Sequence, residues 1–146
     1  MKKRLLAILL ICYGLSLPAQ VQDRLLVGTS CECSSFITLF DSTSVTEETG
    51  FGKIFATPIL PQDVDIFSYV SGRSQLYRKQ SESTNSVFAV DVVQNAEVKC
   101  VYLVRGAVSA TTREIAQILA KEVKFSLTNA TNPRARATYF FKLSSP

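Results

Sequence analysis

Two runs of apolar and β-branched residues, Val87–Val93 and Val98–Val104, stand near the centre of the chain and are separated by only four residues. β-Branched side chains suit the pleated surface of a strand. Asn95, in the short connection, tolerates the left-handed backbone of a tight turn. The pattern therefore predicts a β-hairpin at the centre of the fold.

The two faces of this hairpin follow from the register of its turn. If Val93 lies opposite Val98, one face is wholly apolar and should point into the core, and it consists of Phe88, Val90, Val101 and Leu103. The other face is mixed and consists of Ala89, Asp91, Cys100 and Tyr102. A slip of one residue would exchange the two faces.

A helix is predicted over Thr111–Glu122, where Ile115, Ile118 and Leu119 recur at helical spacing. Such a stripe is normally the side of a helix that packs on a sheet. Thr111 followed three residues later by Glu114 has the form of a capping box at the start of a helix. After Lys121 the apolar positions alternate, which predicts that the helix gives way to a strand.

Shorter segments with alternating or β-branched residues predict further strands, at Leu25–Val27, Phe36–Phe40, Lys53–Leu60, Val123–Leu127 and Ala135–Leu143. Val64–Val70 and Gln75–Lys79 flank a Ser-Gly turn, and this spacing predicts a second hairpin. Together these elements predict an α+β fold. It would be a mainly antiparallel sheet of about six to eight short strands, with one amphipathic helix near residues 111–123 packed on it.

The first twenty residues have the pattern of a secretory signal peptide. Lys2, Lys3 and Arg4 precede the uncharged stretch Leu5–Leu17, which ends in proline and small or polar residues. As a helix this stretch would span only about 20 Å, too short for a hydrocarbon layer of about 30 Å. We therefore expect cleavage after Ala19 or Gln20, export to the periplasm or the medium, and one domain over residues 21–146.

Cys12 raises the question of a lipid anchor, because bacterial lipoproteins are cut just before a cysteine that is then acylated. Ile11 occupies the position where that cleavage pattern requires a small residue, and the apolar run continues past Cys12. We therefore expect no lipid anchor at Cys12, and no transmembrane helix once the signal peptide is removed.

The charge of the chain belongs mostly to this leader. The whole sequence has 16 basic and 12 acidic residues, and the three leading charges leave 13 against 12 after Gln20, a net charge of +1. A nucleic-acid partner is therefore not expected. The small basic pairs Arg134-x-Arg136 and Arg78-Lys79 are interpreted as solvated positions on strand edges.

The sequence lacks the residues that several kinds of catalytic site, phosphate-binding site and metal site require. The chain has no histidine, which removes the commonest general base and zinc ligand. It also has no glycine-rich phosphate loop, and the acidic pairs Asp63-x-Asp65 and Glu47-Glu48 lack the further oxygens of a calcium loop. No cofactor and no metal are expected, and an enzyme is not favoured. A hydrolase that uses serine with lysine, or paired carboxylates, has no supporting spacing.

Three cysteines remain after the predicted cleavage: Cys31, Cys33 and Cys100. A bond between Cys31 and Cys33 would close a very tight and strained ring. We therefore predict that Cys100 is bonded to Cys31 or Cys33, tying the N-terminal segment to the central hairpin. The alternative is that Cys31-Glu32-Cys33 is a redox or soft-metal site.

Two hypotheses for function follow. The first is an exported, non-enzymatic module of the cell envelope or the extracellular space that binds or assembles with an unknown protein or envelope partner. The second is a thiol-based redox or soft-metal-handling protein that uses Cys31 and Cys33. The oxidation state and pairing of the cysteines distinguish the two hypotheses.

Overall fold

The computed structural model describes residues 19–40, 54–80, 85–128 and 135–144. These residues form five helices and six strands, in an α+β fold as predicted. In chain order the elements are α1 (Ala19–Asp23), β1 (Leu25–Val27), α2 (Ser30–Ile37), β2 (Phe55–Ile59), α3 (Ile66–Arg73), α4 (Gln75–Lys79), β3 (Ser86–Val93), β4 (Glu97–Arg105), α5 (Ala110–Lys121), β5 (Lys124–Thr128) and β6 (Arg136–Leu143).

The central hairpin is confirmed as β3 and β4, in the middle of an antiparallel sheet with the strand order β1-β4-β3-β6. Asp91 lies opposite Cys100, and the predicted pairs continue in register from there as far as Phe88 opposite Leu103, after which an irregularity places Val87 opposite Arg105. The assumed turn is wrong by one residue, because Val93 lies opposite Glu97. An irregularity in β4 between Cys100 and Val98 absorbs the difference, so both predicted faces are correct. Asn95 in the turn has a φ of 72°, the left-handed conformation that was expected.

The main core lies between the wholly apolar face of this sheet and α5. Phe88, Val90, Val101 and Leu103 are fully buried there, as predicted. The helix contributes the predicted stripe of Ile115, Ile118 and Leu119, which is also buried. Phe125 and Val123 extend this core toward a second, two-stranded sheet of β2 and β5. Burial of apolar surface on this face is the main term that holds the fold together.

A second core covers the opposite face of the sheet. The end of α2 and the residues after it bury Phe36, Ile37 and Phe40 against Ala89 and Tyr102. The ring centroids of Phe36 and Phe40 are 4.9 Å apart in an edge-to-face arrangement. The face that looked mixed in sequence is therefore covered by a helix rather than by solvent.

The predicted second hairpin over residues 64–79 is wrong, because this segment forms the helices α3 and α4. Asp65 and Ser74 supply their N-caps, with side chains that accept from the backbone N–H groups of Ser68 and Tyr77. These caps satisfy N–H groups that have no partner within a helix. Short apolar runs of this length are compatible with either structure, and the caps favour the helix.

The predicted strand at Phe36–Phe40 is also wrong, since Phe36 belongs to α2. Thr29 caps this helix and accepts from the backbone N–H of Glu32 at 3.3 Å. The cap places Cys33, Phe36 and Ile37 on one helical side, and all three are buried. The Cys-x-Cys motif therefore lies on a helix.

The N-cap of α5 is Ser109, two residues before the predicted cap at Thr111. Ser109 and Thr112 form the capping box, with reciprocal bonds between each side chain and the other residue's backbone N–H. Glu114 instead accepts from the Ser74 hydroxyl and from the N–H groups of Gln75 and Leu76 at the start of α4. Partial burial raises the pKa of Glu114, but these hydrogen bonds outweigh burial and bring the pKa below its ordinary value.

Within the described ranges, no helix has both the length and the apolar character needed to cross a membrane. The predicted signal peptide lies outside these ranges except for Ala19 and Gln20, which begin α1.

Candidate functional site

The disulfide between Cys33 and Cys100 confirms the predicted link between the N-terminal segment and the central hairpin. The Cα atoms are 6.1 Å apart, and both side chains are fully buried. Gly28 makes this packing feasible. Its φ is +101°, and a Cβ atom there would lie 2.5 Å from the sulfur of Cys33. The bond fastens α2 to the sheet and so fixes the position of the helix over its second face.

Cys31 lies exposed on the first turn of α2 and does not pair with Cys33. The described part of the chain contains no cluster of three or more cysteine, aspartate or glutamate side chains that could hold a metal ion. The structure thus places the three predicted site residues, Cys31, Cys33 and Cys100, near one another. Cys33 and Cys100, however, are buried inside the second core.

An ion pair between Asp91 and Arg136 lies on the same face of the sheet as the Cys33–Cys100 disulfide. Asp91 lies in the middle of β3, and its side chain is fully buried. Arg136, at the start of β6, donates from Nε and Nη2 to the two carboxylate oxygens of Asp91, at 2.7 and 2.6 Å. A buried carboxylate is costly unless it is paired, and this fork-shaped contact provides the pairing. Arg136 is exposed on an edge strand, as interpreted from the sequence, but its guanidinium is also paired with a buried carboxylate, which the sequence analysis did not predict.

The register of the sheet explains how the two side chains meet. Thr138 lies directly opposite Asp91, and Arg136 lies opposite Val93, two residues along the same face. A diagonal pair of this kind is within reach of a long side chain. The Asp91 hydrogen bond raises the pKa of Arg136, partial burial lowers it, and the first effect dominates. The guanidinium is therefore charged and held in one orientation.

This guanidinium lies beside an open cavity of about 300 Å³ between α2 and β6. We call this cavity the α2–β6 groove, and it is lined by Ser35, Phe36, Leu39, Arg136, Ala137 and Thr138. Leu39 is 44% exposed, although it is a large apolar residue. The centre of the Arg136 guanidinium lies 5.8 Å from the centroid of the Phe36 ring.

The groove combines apolar walls with a fixed hydrogen-bond donor. Arg136 uses two of its five N–H groups on Asp91, and its side chain remains 40% exposed. The negative charge of Asp91 offsets the positive charge of Arg136, so the net electrostatic field in the groove is weak. What the groove offers a ligand is therefore a set of N–H donors with a fixed direction. Such a site suits a ligand with an apolar group beside a carbonyl or carboxylate oxygen.

Sequence reasoning missed this site. One signal was available, since Asp91 is the only charged residue in the run Val87–Val93. A carboxylate within such a run must have a partner if it is buried. The identity of that partner depends on β6 lying next to β3, which the local pattern does not show.

Comparison with protein-family models, with curated proteins and with solved structures finds no match to this chain.

Proposed function

We propose that this protein is an exported, non-enzymatic binding module of the envelope or the extracellular space, and that the α2–β6 groove is its binding site. The observation that carries the proposal is the fully buried Asp91, which holds Arg136 in a fixed orientation beside an open apolar cavity. A pre-oriented donor next to exposed apolar surface loses little entropy when a ligand binds.

The free-energy cost of burying the Asp91–Arg136 ion pair supports a binding role. A well-packed apolar pair at these positions would be about as stable as the ion pair or more so, because charges lose hydration when they are buried. Leu39 also keeps a large apolar side chain exposed at the edge of the groove. Both features are typical of a surface that recognises a ligand.

Support for export comes from the leader pattern and from the disulfide. The Cys33–Cys100 bond is compatible with an oxidising compartment, where structural disulfides persist. The redox alternative has less support, because both sulfurs of this bond are buried and Cys33 is not paired with Cys31.

We predict that the exported protein lacks residues 1–20. The full-length sequence would be expressed in a bacterial host, and the intact mass of the exported protein would be measured after reduction and alkylation. Of the four cysteines only Cys12 precedes the predicted cut, so three alkylated cysteines are expected. A mass that includes Cys12 and four alkyl groups would contradict cleavage, and a lipid-modified Cys12 would establish an anchor instead.

We predict that small apolar amino-acid derivatives bind in the groove. N-acetyl-leucine and its amide carry one apolar group next to an oxygen acceptor, and we expect dissociation constants on the order of 1 mM for ligands of this size. Titration followed by NMR should shift the Leu39 methyl signals and the Nε–H signal of Arg136. The ligands should be recovered unchanged, as expected for a binding protein.

The matched variants for this titration are Leu39→Ser and Leu76→Ser. Leu39 and Leu76 are similarly exposed, at 44% and 41%, but Leu76 lies on α4 outside the groove. Leu39→Ser should weaken binding about tenfold by removing apolar contact, and Leu76→Ser should leave binding unchanged. Equal effects of the two substitutions, or no shifts at Leu39 and Arg136, would contradict the groove as a binding site.

A further inference from the structure

We infer that the ligand of the α2–β6 groove is a small apolar monocarboxylate, a molecule about the size of one amino acid that carries a free carboxylate and no positive charge. This inference rests on the proposed function and names the class of ligand for the same site. The proposed function requires only an oxygen acceptor beside an apolar group, whereas the inference requires that this acceptor be negatively charged.

The first observation is the part of the Arg136 guanidinium that Asp91 leaves unused. Asp91 accepts from Nε and from Nη2, which lie along one edge of the planar group. The remaining N–H groups are one on Nη2 and two on Nη1, and one from each of these nitrogens lie parallel at the end of the group. Such a parallel pair matches the two oxygens of a carboxylate. Arg136 can therefore bind a second carboxylate while it keeps its contact with Asp91.

The second observation is where the unused N–H groups lie. The Asp91 side chain is fully buried, whereas the Arg136 side chain is 40% exposed and lines the groove. Because the edge that faces Asp91 is covered, the exposed part of the Arg136 side chain lies away from that edge. The two hydrogen bonds to Asp91 also fix the plane of the guanidinium, so its free N–H groups need little further ordering when a ligand binds.

The third observation is the chemistry of the groove lining. Besides Arg136, the polar lining residues are Ser35 and Thr138, whose hydroxyl groups can donate hydrogen bonds. No acidic residue is among the described residues that line the groove, and both carboxylate oxygens of Asp91 already accept from Arg136. A ligand carboxylate is therefore matched by donors. A ligand ammonium group would lie close to the guanidinium and would have no acidic partner in this lining.

The fourth observation is the size of the cavity. A volume of about 300 Å³ is at the small end of ligand pockets, and its lining combines one group of donors with one apolar wall. A free acid such as 4-methylpentanoate supplies one carboxylate for the donors and one branched apolar group for the wall. A longer chain would have to place its further residues outside the cavity. The size of the cavity therefore favours a small acid over the C-terminal residue of a peptide.

The test compares probes by NMR titration of the unmodified protein. The first pair is 4-methylpentanoate and 4-methylpentanamide, which have nearly the same shape and differ in the charge of the acceptor. We expect the acid to bind about tenfold more tightly, because a hydrogen bond to a charged acceptor is about twice as strong as one to a neutral acceptor. Repulsion from the nearby Asp91 carboxylate keeps the expected ratio from being larger.

Two further probes define the class of ligand. Leucine has the same apolar group and a carboxylate but adds an ammonium group, so it should bind at least about tenfold more weakly than 4-methylpentanoate. A blocked tripeptide that ends in leucine with a free carboxylate should bind no more tightly than 4-methylpentanoate, because its added residues lie outside the cavity.

The matched variants are Arg136→Lys and Arg113→Lys. Lysine keeps a positive charge beside Asp91 but cannot present two parallel N–H groups to a carboxylate. The preference for the acid over the amide should fall from about tenfold to about twofold in Arg136→Lys. Arg113 is exposed on α5 outside the groove, so Arg113→Lys should leave the preference unchanged. An undiminished preference in Arg136→Lys would overturn the assignment of the carboxylate to this guanidinium.

The outcomes separate this inference from the proposed function. If the acid and the amide shift the Leu39 and Arg136 signals with equal affinity, the groove binds oxygen acceptors without regard to charge, and the inference is overturned while the proposed function stands. The same conclusion follows if leucine binds as tightly as 4-methylpentanoate. A tripeptide that binds more than about tenfold more tightly than the acid would identify a peptide C-terminus as the ligand and would also overturn the inference. If no probe shifts these signals, both proposals fail.

Discussion

Replacing both Cys33 and Cys100 with alanine should lower the free energy of unfolding by about 4 kcal/mol, because the disulfide restricts a long loop in the unfolded chain. The two residues are 67 positions apart, and their bond joins α2 to β4. Without the bond, α2 should still be drawn to the sheet by Phe36, Ile37 and Phe40. Denaturant unfolding followed by circular dichroism measures the loss.

The single variants provide the control for this prediction. Either Cys33→Ala or Cys100→Ala breaks the same bond, so each alone should cost about as much as the double variant. If the cysteines acted only through packing, each loss should be about 1 kcal/mol, and the two losses should add. Additive small losses would therefore contradict the disulfide as the main stabilising element of the second core.

Arg136→Met should lower the free energy of unfolding by about 3 kcal/mol at neutral pH, because it leaves the buried carboxylate of Asp91 without a partner. The groove is open on the side of Arg136, so water can reach part of the site. The expected loss is therefore at the lower end of the range for breaking buried ion pairs. Urea unfolding of both proteins at neutral pH measures it.

Two further variants complete the test. Arg113 is exposed on α5, so Arg113→Met should change stability by no more than about 0.5 kcal/mol. The double variant Asp91→Val with Arg136→Met should recover most of the lost stability, since no charge is then buried. An Arg136→Met loss no larger than that of Arg113→Met would show that the ion pair does not stabilise the fold.

The sequence by itself was sufficient for the elements with a clear period. The alternation along β3 and β4 predicted which side chains enter the main core, because a strand shows successive residues to opposite faces. It also placed Asp91 opposite Cys100, which is correct because the irregularity between Cys100 and Val98 compensates for the one-residue error in the assumed turn. The apolar residues Ile115, Ile118 and Leu119 recur at the period of a helix, and this spacing likewise predicted the buried side of α5.

Local pattern was insufficient for α2, α3 and α4. Their apolar runs are only eight residues or fewer, and such runs fit a strand or a helix almost equally well. Thr29, Asp65 and Ser74 were visible as N-cap residues, and greater weight on them would have predicted these helices.

Only the tertiary structure determined the groove and the ion pair beneath it, and only it decided which of Cys31 and Cys33 is bonded to Cys100. Cys33 meets Cys100 across 67 positions and Arg136 meets Asp91 across 45, so neither contact depends on local periodicity. The disulfide requires that α2 covers the second face of the sheet, and the ion pair requires that β6 pairs with β3. The sequence determined that Asp91 would share a face with Cys100. The tertiary structure determined that this face would be buried and that Arg136 would be its partner, because strand order and helix placement depend on the packing of the whole chain.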